Sequence, residues 1–246
     1  MDLFENQTVF GGISLISSRM VRFSAKILVI INIVLLIFRF RIIKVIYQLK
    51  KYGKMEPDYV RFSTLYLLSL EINKKGLEGD VAELGVYRGD FAKNINQVFP
   101  DRTLYLFDTF EGFVKRDVNI DKSFFYSECD QDFSATNIDL VMKKMKHPEK
   151  CKVIKGYFPD SLNKLPDNEK MQYCFVSIDA DLYQPTYEGL CYFYPHLCKG
   201  GYIMVHDYNN VKYKGVYEAV LKFTNENPAS YVPLGDPSGS VVIVKI

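Results

Sequence analysis

The chain has 246 residues, of which 24% are charged, and a formal net charge of +2. The charge is unevenly placed: residues 1–55 hold nine basic side chains against two acidic ones, so residues 56–246, with 22 basic and 27 acidic, are negative overall. An acidic body lacks the basic footprint that phosphate neutralisation needs, which excludes nucleic acid as the main partner.

Residues 27–38, ILVIINIVLLIF, are apolar apart from Asn32, and Arg39, Arg41 and Lys44 then interleave with apolar side chains. The run is 12 residues long before those charges begin, whereas a spanning helix needs about 20. Arg19, Arg22 and Lys26 precede it as in a signal peptide, but no small-x-small cleavage site follows. Three readings stand: a helix lying in a membrane interface, an arm packed on the domain or on a second copy in a homo-oligomer, and a short tilted span. A basic, apolar head is what an anionic membrane surface attracts, so the expected location is cytoplasmic, peripheral at the inner face of the membrane. The cysteines at 129, 151, 174, 191 and 198 form no C-x-x-C and predict reduced, mostly buried thiols. Cys191 and Cys198 fall seven apart and are expected on one helix face.

Residues 55–76 read as a helix with Pro57 in its first turn and apolar positions at Val60, Leu67, Leu68 and Ile72. Short apolar strands and helices then alternate. Strands are expected at 81–84, 103–107, 152–154, 173–178, 202–205, 230–234 and 240–245, and helices at 90–99, 186–197 and 215–225. The Gly-Asp-Pro-Ser-Gly stretch at 235–239 marks a hairpin. The expected fold is α/β: a doubly wound, mostly parallel, seven-stranded Rossmann-like sheet over 56–246, with a C-terminal antiparallel hairpin. Residues 112–133 fit no element, and Phe124, Phe125 and Tyr126 make them too aromatic for a linker, so they are expected to form a structureless lid over a substrate pocket.

Chemistry concentrates where two strands stop. The run 173–178 ends in Asp179 and Asp181, and the run 202–205 ends in His206 and Asp207. In an open parallel sheet, ligands bind beyond the carboxyl ends of the strands. Carboxylates crowded there need a cation, a proton or a substrate hydroxyl to compensate them. A single such pair reads as a helix cap; two pairs on neighbouring strands point to a catalytic site.

The stretch VAELGVYRG (81–89) is a strand followed by a glycine turn and a helix start. Gly85 and Gly89 let a ligand approach the backbone, and the helix start offers free N–H groups. A dinucleotide fingerprint needs glycine where Tyr87 stands, so the pyrophosphate cradle is incomplete and a nicotinamide cofactor is disfavoured. Glu83 suits an ammonium group, and Asp108, at the end of the second strand, suits ribose hydroxyls. A nucleoside with a cationic amino-acid tail is S-adenosylmethionine (SAM). Glu83, Gly85, Tyr87, Gly89 and Asp108 are the candidate cofactor-binding residues.

Five ordered blocks, GDVAELGVYRGDFA (79–92), LYLFDTFEGF (104–113), KGYFPDSL (155–162), IDADLYQPT (178–186) and GGYIMVHDYN (200–209), resemble the macrocin/mycinamicin (TylF/MycF-like) O-methyltransferase family of class I SAM-dependent enzymes. The resemblance covers residues 57–246 and implies methyl transfer to a sugar hydroxyl. It also implies a divalent cation, Mg²⁺ or Mn²⁺, on Asp179 and Asp207, with Asp181 as the base. His206 stands where the family carries the first Asp of an Asp-Asp pair, which leaves His206 as a ligand, a base or a hydrogen-bond donor, and leaves open a site without metal. The rival readings are an O-methyltransferase for phenolic or lipid hydroxyls, and a non-catalytic membrane-associated partner that keeps the fold.

Overall fold

The computed structural model describes residues 58–165 and 171–246. The basic, apolar segment 1–55 lies outside the described residues, so the three readings of 27–47 stand as expectations. No helix among the described residues is long and apolar enough to cross a membrane.

A seven-stranded sheet carries the domain, in the order β3-β2-β1-β4-β5-β7-β6. Its strands are β1 (Asp80–Leu84), β2 (Leu104–Asp108), β3 (Cys151–Lys155), β4 (Tyr173–Ile178), β5 (Leu197–Val205), β6 (Tyr231–Pro233) and β7 (Val241–Val244). Strands β1 to β5 run parallel, and β7 pairs antiparallel with both β5 and β6. The expected strands and the closing hairpin are all present. From β1 the chain builds outward through β2 to β3, then returns to lay β4 on the other side of β1. The winding therefore reverses between β1 and β4, and a crevice opens beyond their carboxyl ends.

Both faces of the sheet are covered, as a parallel sheet requires. Ala82, Leu84, Phe107, Ile178 and Ile203 share one core with Leu190 and Phe193 of α5 (Tyr183–His196) and Val216, Val220 and Phe223 of α6 (Lys214–Glu226). Val81, Leu104, Leu106, Phe175 and Met204 share the other with Leu65 and Ile72 of α1 (Tyr59–Lys74) and Ile95 of α2 (Ala92–Val98). Strand alternation thus points Glu83 and Ser177, two residues after Val81 and Phe175, towards the α1 side.

Three expectations need correction. The buried stripe of α1 is Arg61, Leu65, Ser69 and Ile72, while Leu67 is 59% exposed. The apolar reading misphased the helix because two of its four inward positions are polar. Residues 112–133 are not structureless: they contain α3 (Lys115–Ser123), and a short α4 (Ile138–Met142) follows. The inward side chains of α3 are Asp117 and Asp121, so it has no apolar stripe to reveal it. Cys198 lies on β5, not on the helix of Cys191, because α5 stops at His196.

Candidate active site

The strand register assembles the site. Leu84 is level with Phe107 on one side and Ile178 on the other, and Ile178 is level with Val205. The next residue of each strand therefore falls in one row: Asp108, Gly85, Asp179, His206. Backbone hydrogen bonds continue the ladder into that row. Gly85 donates to Phe107 O (2.9 Å), Asp179 to Leu84 O (2.8 Å) and His206 to Ile178 O (2.9 Å).

At the β1–β2 end, Asp108 holds the glycine turn. Its Oδ2 accepts the N–H groups of Val86 (2.7 Å) and Tyr87 (2.8 Å), and its Oδ1 accepts that of Phe110 (2.6 Å). Gly85 has φ +84°, and a Cβ there would lie 2.0 Å from Asp179 O, so only glycine lets the turn pass beneath β4. Tyr87 and Gly89 also take positive φ, at 47° and 73°. Glu83 is 1% exposed, and its Oε2 has no hydrogen-bond partner among the described residues. Burial pushes its carboxyl well above the usual carboxylate range, the Asp179 and Asp108 charges add to this, and Arg61 opposes it. An orphaned carboxylate oxygen beside a glycine turn fits a ligand that brings an ammonium group. The residues present therefore fit SAM: Glu83 for its amino-acid tail, the Gly85 turn for close approach, and Asp108, whose Oδ1 keeps one lone pair beyond Phe110 N–H, for a ribose hydroxyl.

At the β4–β5 end, three carboxylates and two basic groups interlock. Asp179 Oδ2 accepts from Arg61 Nη2 at 2.9 Å, and its Oδ1 lies 3.0 Å from His206 Nδ1. The same Nδ1 is 2.9 Å from Asp207 Oδ2, while Asp207 Oδ1 accepts from Asn210 Nδ2 at 2.7 Å. Both neighbours of Nδ1 are acceptors, so Nδ1 carries the hydrogen. Burial works against the charge on Asp179, but the His206 and Arg61 charges outweigh it and hold the carboxyl well below its ordinary range. Burial also works against the His206 cation; Asp179 outweighs it, and the ring is pushed up to about 12. Asp181 moves the opposite way. Burial, then the Asp179 and Asp207 charges, raise it well above the carboxylate range. Asp181 (φ 60°) and Asp207 (φ 58°) both sit in the left-handed region, a strain that functional sites retain.

Asp179, His206 and Asp207 each bring one ligand atom to within 4.8 Å of the others, the grouping expected for a metal site. The donor set does not suit the ion. Each oxygen of Asp179 and of Asp207 already accepts a hydrogen bond, and Nδ1 of His206 carries a hydrogen, which leaves the ring only Nε2, 3.8 Å from Asp58 Oδ2, as a lone-pair donor.

Three residues near this rim escaped the sequence reading. Arg61 is 6% exposed, packed 3.7 Å from the Phe91 ring centroid and aimed at Asp179. A cation on the inward stripe of a helix was its one visible signal. Tyr213, at the start of α6, is buried, and its hydroxyl has no partner among the described residues; burial, followed by Asp181 and Asp207, raises its pKa. Asp121 of α3 caps the start of α5 by accepting Tyr183 N–H at 3.1 Å. Neither Tyr213 nor Asp121 left a pattern in the sequence.

The fold of this sheet is shared with solved O-methyltransferases. The O-methyltransferase NovP superposes with a TM-score of 0.60 at 20% identity, over 75% of this chain and 79% of that one. The calicheamicin methyltransferase CalS11 gives 0.59 at 20% identity, over 75% and 78%. The family model for macrocin O-methyltransferase (TylF) matches residues 59–232, and the chain belongs to that family. Among curated proteins, mycinamicin III 3''-O-methyltransferase of Micromonospora griseorubida is 27% identical over 148 residues, covering 55% of this chain and 57% of that one. Demethyldecarbamoylnovobiocin O-methyltransferase of Streptomyces niveus is 28% identical over 149 residues, covering 53% of each. The chain thus spans little more than half the length of the curated relatives it matches.

Proposed function

We propose that this chain is a SAM-dependent O-methyltransferase acting on a hydroxyl of a sugar or other glycan-type small molecule. The observation that carries the reading is the single row across the switch point. It sets an orphaned carboxylate, Glu83, beside the glycine turn and a base of raised pKa, Asp181, at the adjoining rim. CalS11, described as a TDP-rhamnose 3'-O-methyltransferase, supports a sugar as the acceptor class.

When bound, SAM supplies a sulfonium methyl group activated for in-line displacement. The protein has to align the acceptor and make its hydroxyl a better nucleophile. The raised pKa of Asp181 supports its reading as the group that accepts the hydroxyl proton, since it makes the carboxylate a stronger base than an ordinary aspartate. His206 donates from Nδ1 to Asp179 and Asp207, and against burial the Asp179 charge pushes its ring up to about 12 and keeps it protonated, so it orients the rim and is not the base. Tyr213 offers a buried hydroxyl with no partner among the described residues, suited to a polar atom of the acceptor. The divalent cation implied by the family resemblance would have Asp179, Asp207 and His206 as its donors, and that donor set is already engaged. Residues 1–55 are assigned to location at an anionic membrane surface, on their charge and hydropathy.

Titration calorimetry with SAM and S-adenosylhomocysteine, followed by a turnover screen over sugar nucleotides, glycolipids and phenols, tests the reading. Methylation of the sugars bears it out. Turnover confined to phenols or to the lipid portion reassigns the acceptor. SAM binding without turnover on any acceptor favours a non-catalytic partner protein.

A further inference from the structure

The family resemblance implies a divalent cation at the acidic rim, and the donors there disagree with it. Asp179 and Asp207 are the two carboxylates that would hold the ion. In this chain both oxygens of Asp179 are engaged: Oδ2 by Arg61 Nη2 at 2.9 Å, and Oδ1 by the His206 ring at 3.0 Å. Arg61 does not reach in from solvent. It rises from the inward stripe of α1, its guanidinium lies 3.7 Å from the Phe91 ring centroid, and Nη2 is also 3.4 Å from Ser177 Oγ. A guanidinium stays charged at every working pH, so this is a permanent cation built into the covalent chain. His206 stands where the family has a third carboxylate, and its Nδ1–H bridges Asp179 and Asp207. His206 thus brings a hydrogen-bond donor where the family carries an anionic ligand, and Arg61 puts a fixed positive charge on a remaining ligand. Each feature lowers the affinity for a divalent ion. Together they supply the compensation that crowded carboxylates need.

We propose that Arg61 and His206 replace the divalent cation at this rim, so that Asp179 and Asp207 are held in place by internal donors and the site works without a metal. Arg61 is then a positioning residue acting through Asp179. The inference rests on the proposed methyl-transfer site, and its test is read without turnover.

The measurement is a titration of the full-length chain with MnCl2, followed by the electron paramagnetic resonance signal of free Mn²⁺. The proteins are the wild type, Asp179→Asn, His206→Asp, Arg61→Met, and the Arg61→Met/His206→Asp double variant. The wild type is expected to bind no stoichiometric Mn²⁺ at millimolar concentration. The double variant is expected to gain one site, at least about tenfold tighter than any residual wild-type binding, as a restored carboxylate and a removed cation predict. One equivalent of Mn²⁺ on the wild type, lost in Asp179→Asn, would overturn the proposal. Equal Mn²⁺ binding by wild type and folded double variant would overturn it too, since Arg61 and His206 would then not be what excludes the ion. If the double variant does not fold by circular dichroism, His206→Asp serves alone, with the same gain expected and the same equality fatal. SAM calorimetry on the wild type is run in parallel. Absence of SAM binding sinks the methyltransferase reading but leaves the Mn²⁺ result standing, so the two failures are distinguishable.

Discussion

Asp181 can act as a base only after it loses its own proton, and burial beside Asp179 and Asp207 keeps that proton on to higher pH than in an ordinary aspartate. The proton-free fraction therefore grows as pH rises through the raised pKa. The acid limb of kcat/KM, which reports the free enzyme, is expected above the usual carboxylate range. Asp181→Asn should lower turnover by about 10²–10⁴, the usual contribution of a positioned general base, while leaving SAM affinity nearly unchanged. A pH profile flat from pH 4 upward would remove Asp181 from that role. Asp108 is a separable case. It holds the backbone N–H groups of Val86, Tyr87 and Phe110, so Asp108→Ala loosens the turn as well as removing the proposed ribose acceptor. SAM binding should weaken by about 1–3 kcal/mol, the cost of deleting a charged acceptor; unchanged affinity by calorimetry would take Asp108 out of the cofactor site.

At the scale of elements, α3 is held to the domain by acids where most helices use an apolar stripe. Asp121 is 0% exposed, its Oδ1 caps Tyr183 N–H, and its Oδ2 has no partner among the described residues. A Cβ on Gly215 would meet that oxygen at 2.7 Å, so the end of α3 and the starts of α5 and α6 converge too closely there for any larger residue on α6. Burial pushes Asp121 up to about 6 from its ordinary 3.8, so between these values the folded chain keeps a proton that the unfolded chain has released. Stability must then fall as pH rises through that window, by at most about 3 kcal/mol, and stay low above it. Asp121→Asn keeps the acceptor for Tyr183 and removes the titration. It is expected to flatten the slope between pH 4 and 6 and to stabilise the domain by about 1–3 kcal/mol at pH 8. Urea unfolding of both proteins at pH 4, 6 and 8 reads this directly; parallel pH slopes would show that Asp121 is not the source.

On the scale of the whole molecule, the site belongs to residues 58–246 and the basic, apolar head to residues 1–55. Deleting residues 1–50 is expected to leave SAM affinity and turnover on a soluble acceptor largely intact, and to abolish co-sedimentation with anionic vesicles. Loss of folding, or of a dimer by light scattering, would show the head to be structural. The sequence by itself determined the strands, the closing hairpin and the rim acids, because each apolar run is interrupted by its charged residue and the interruption is local. It also carried the glycine turn, whose spacing from Glu83 needs no long-range contact to be read. The phase of α1, the helix inside 112–133 and the partner of Asp179 were decided only in the folded chain. Arg61 and Asp179 are 118 positions apart and meet across a helix and a sheet face, and a buried ion pair leaves no periodic trace in either segment. Polar side chains turned inward break the apolar period that reveals an element, so the helices that carry Arg61 and Asp121 were the places where the pattern failed.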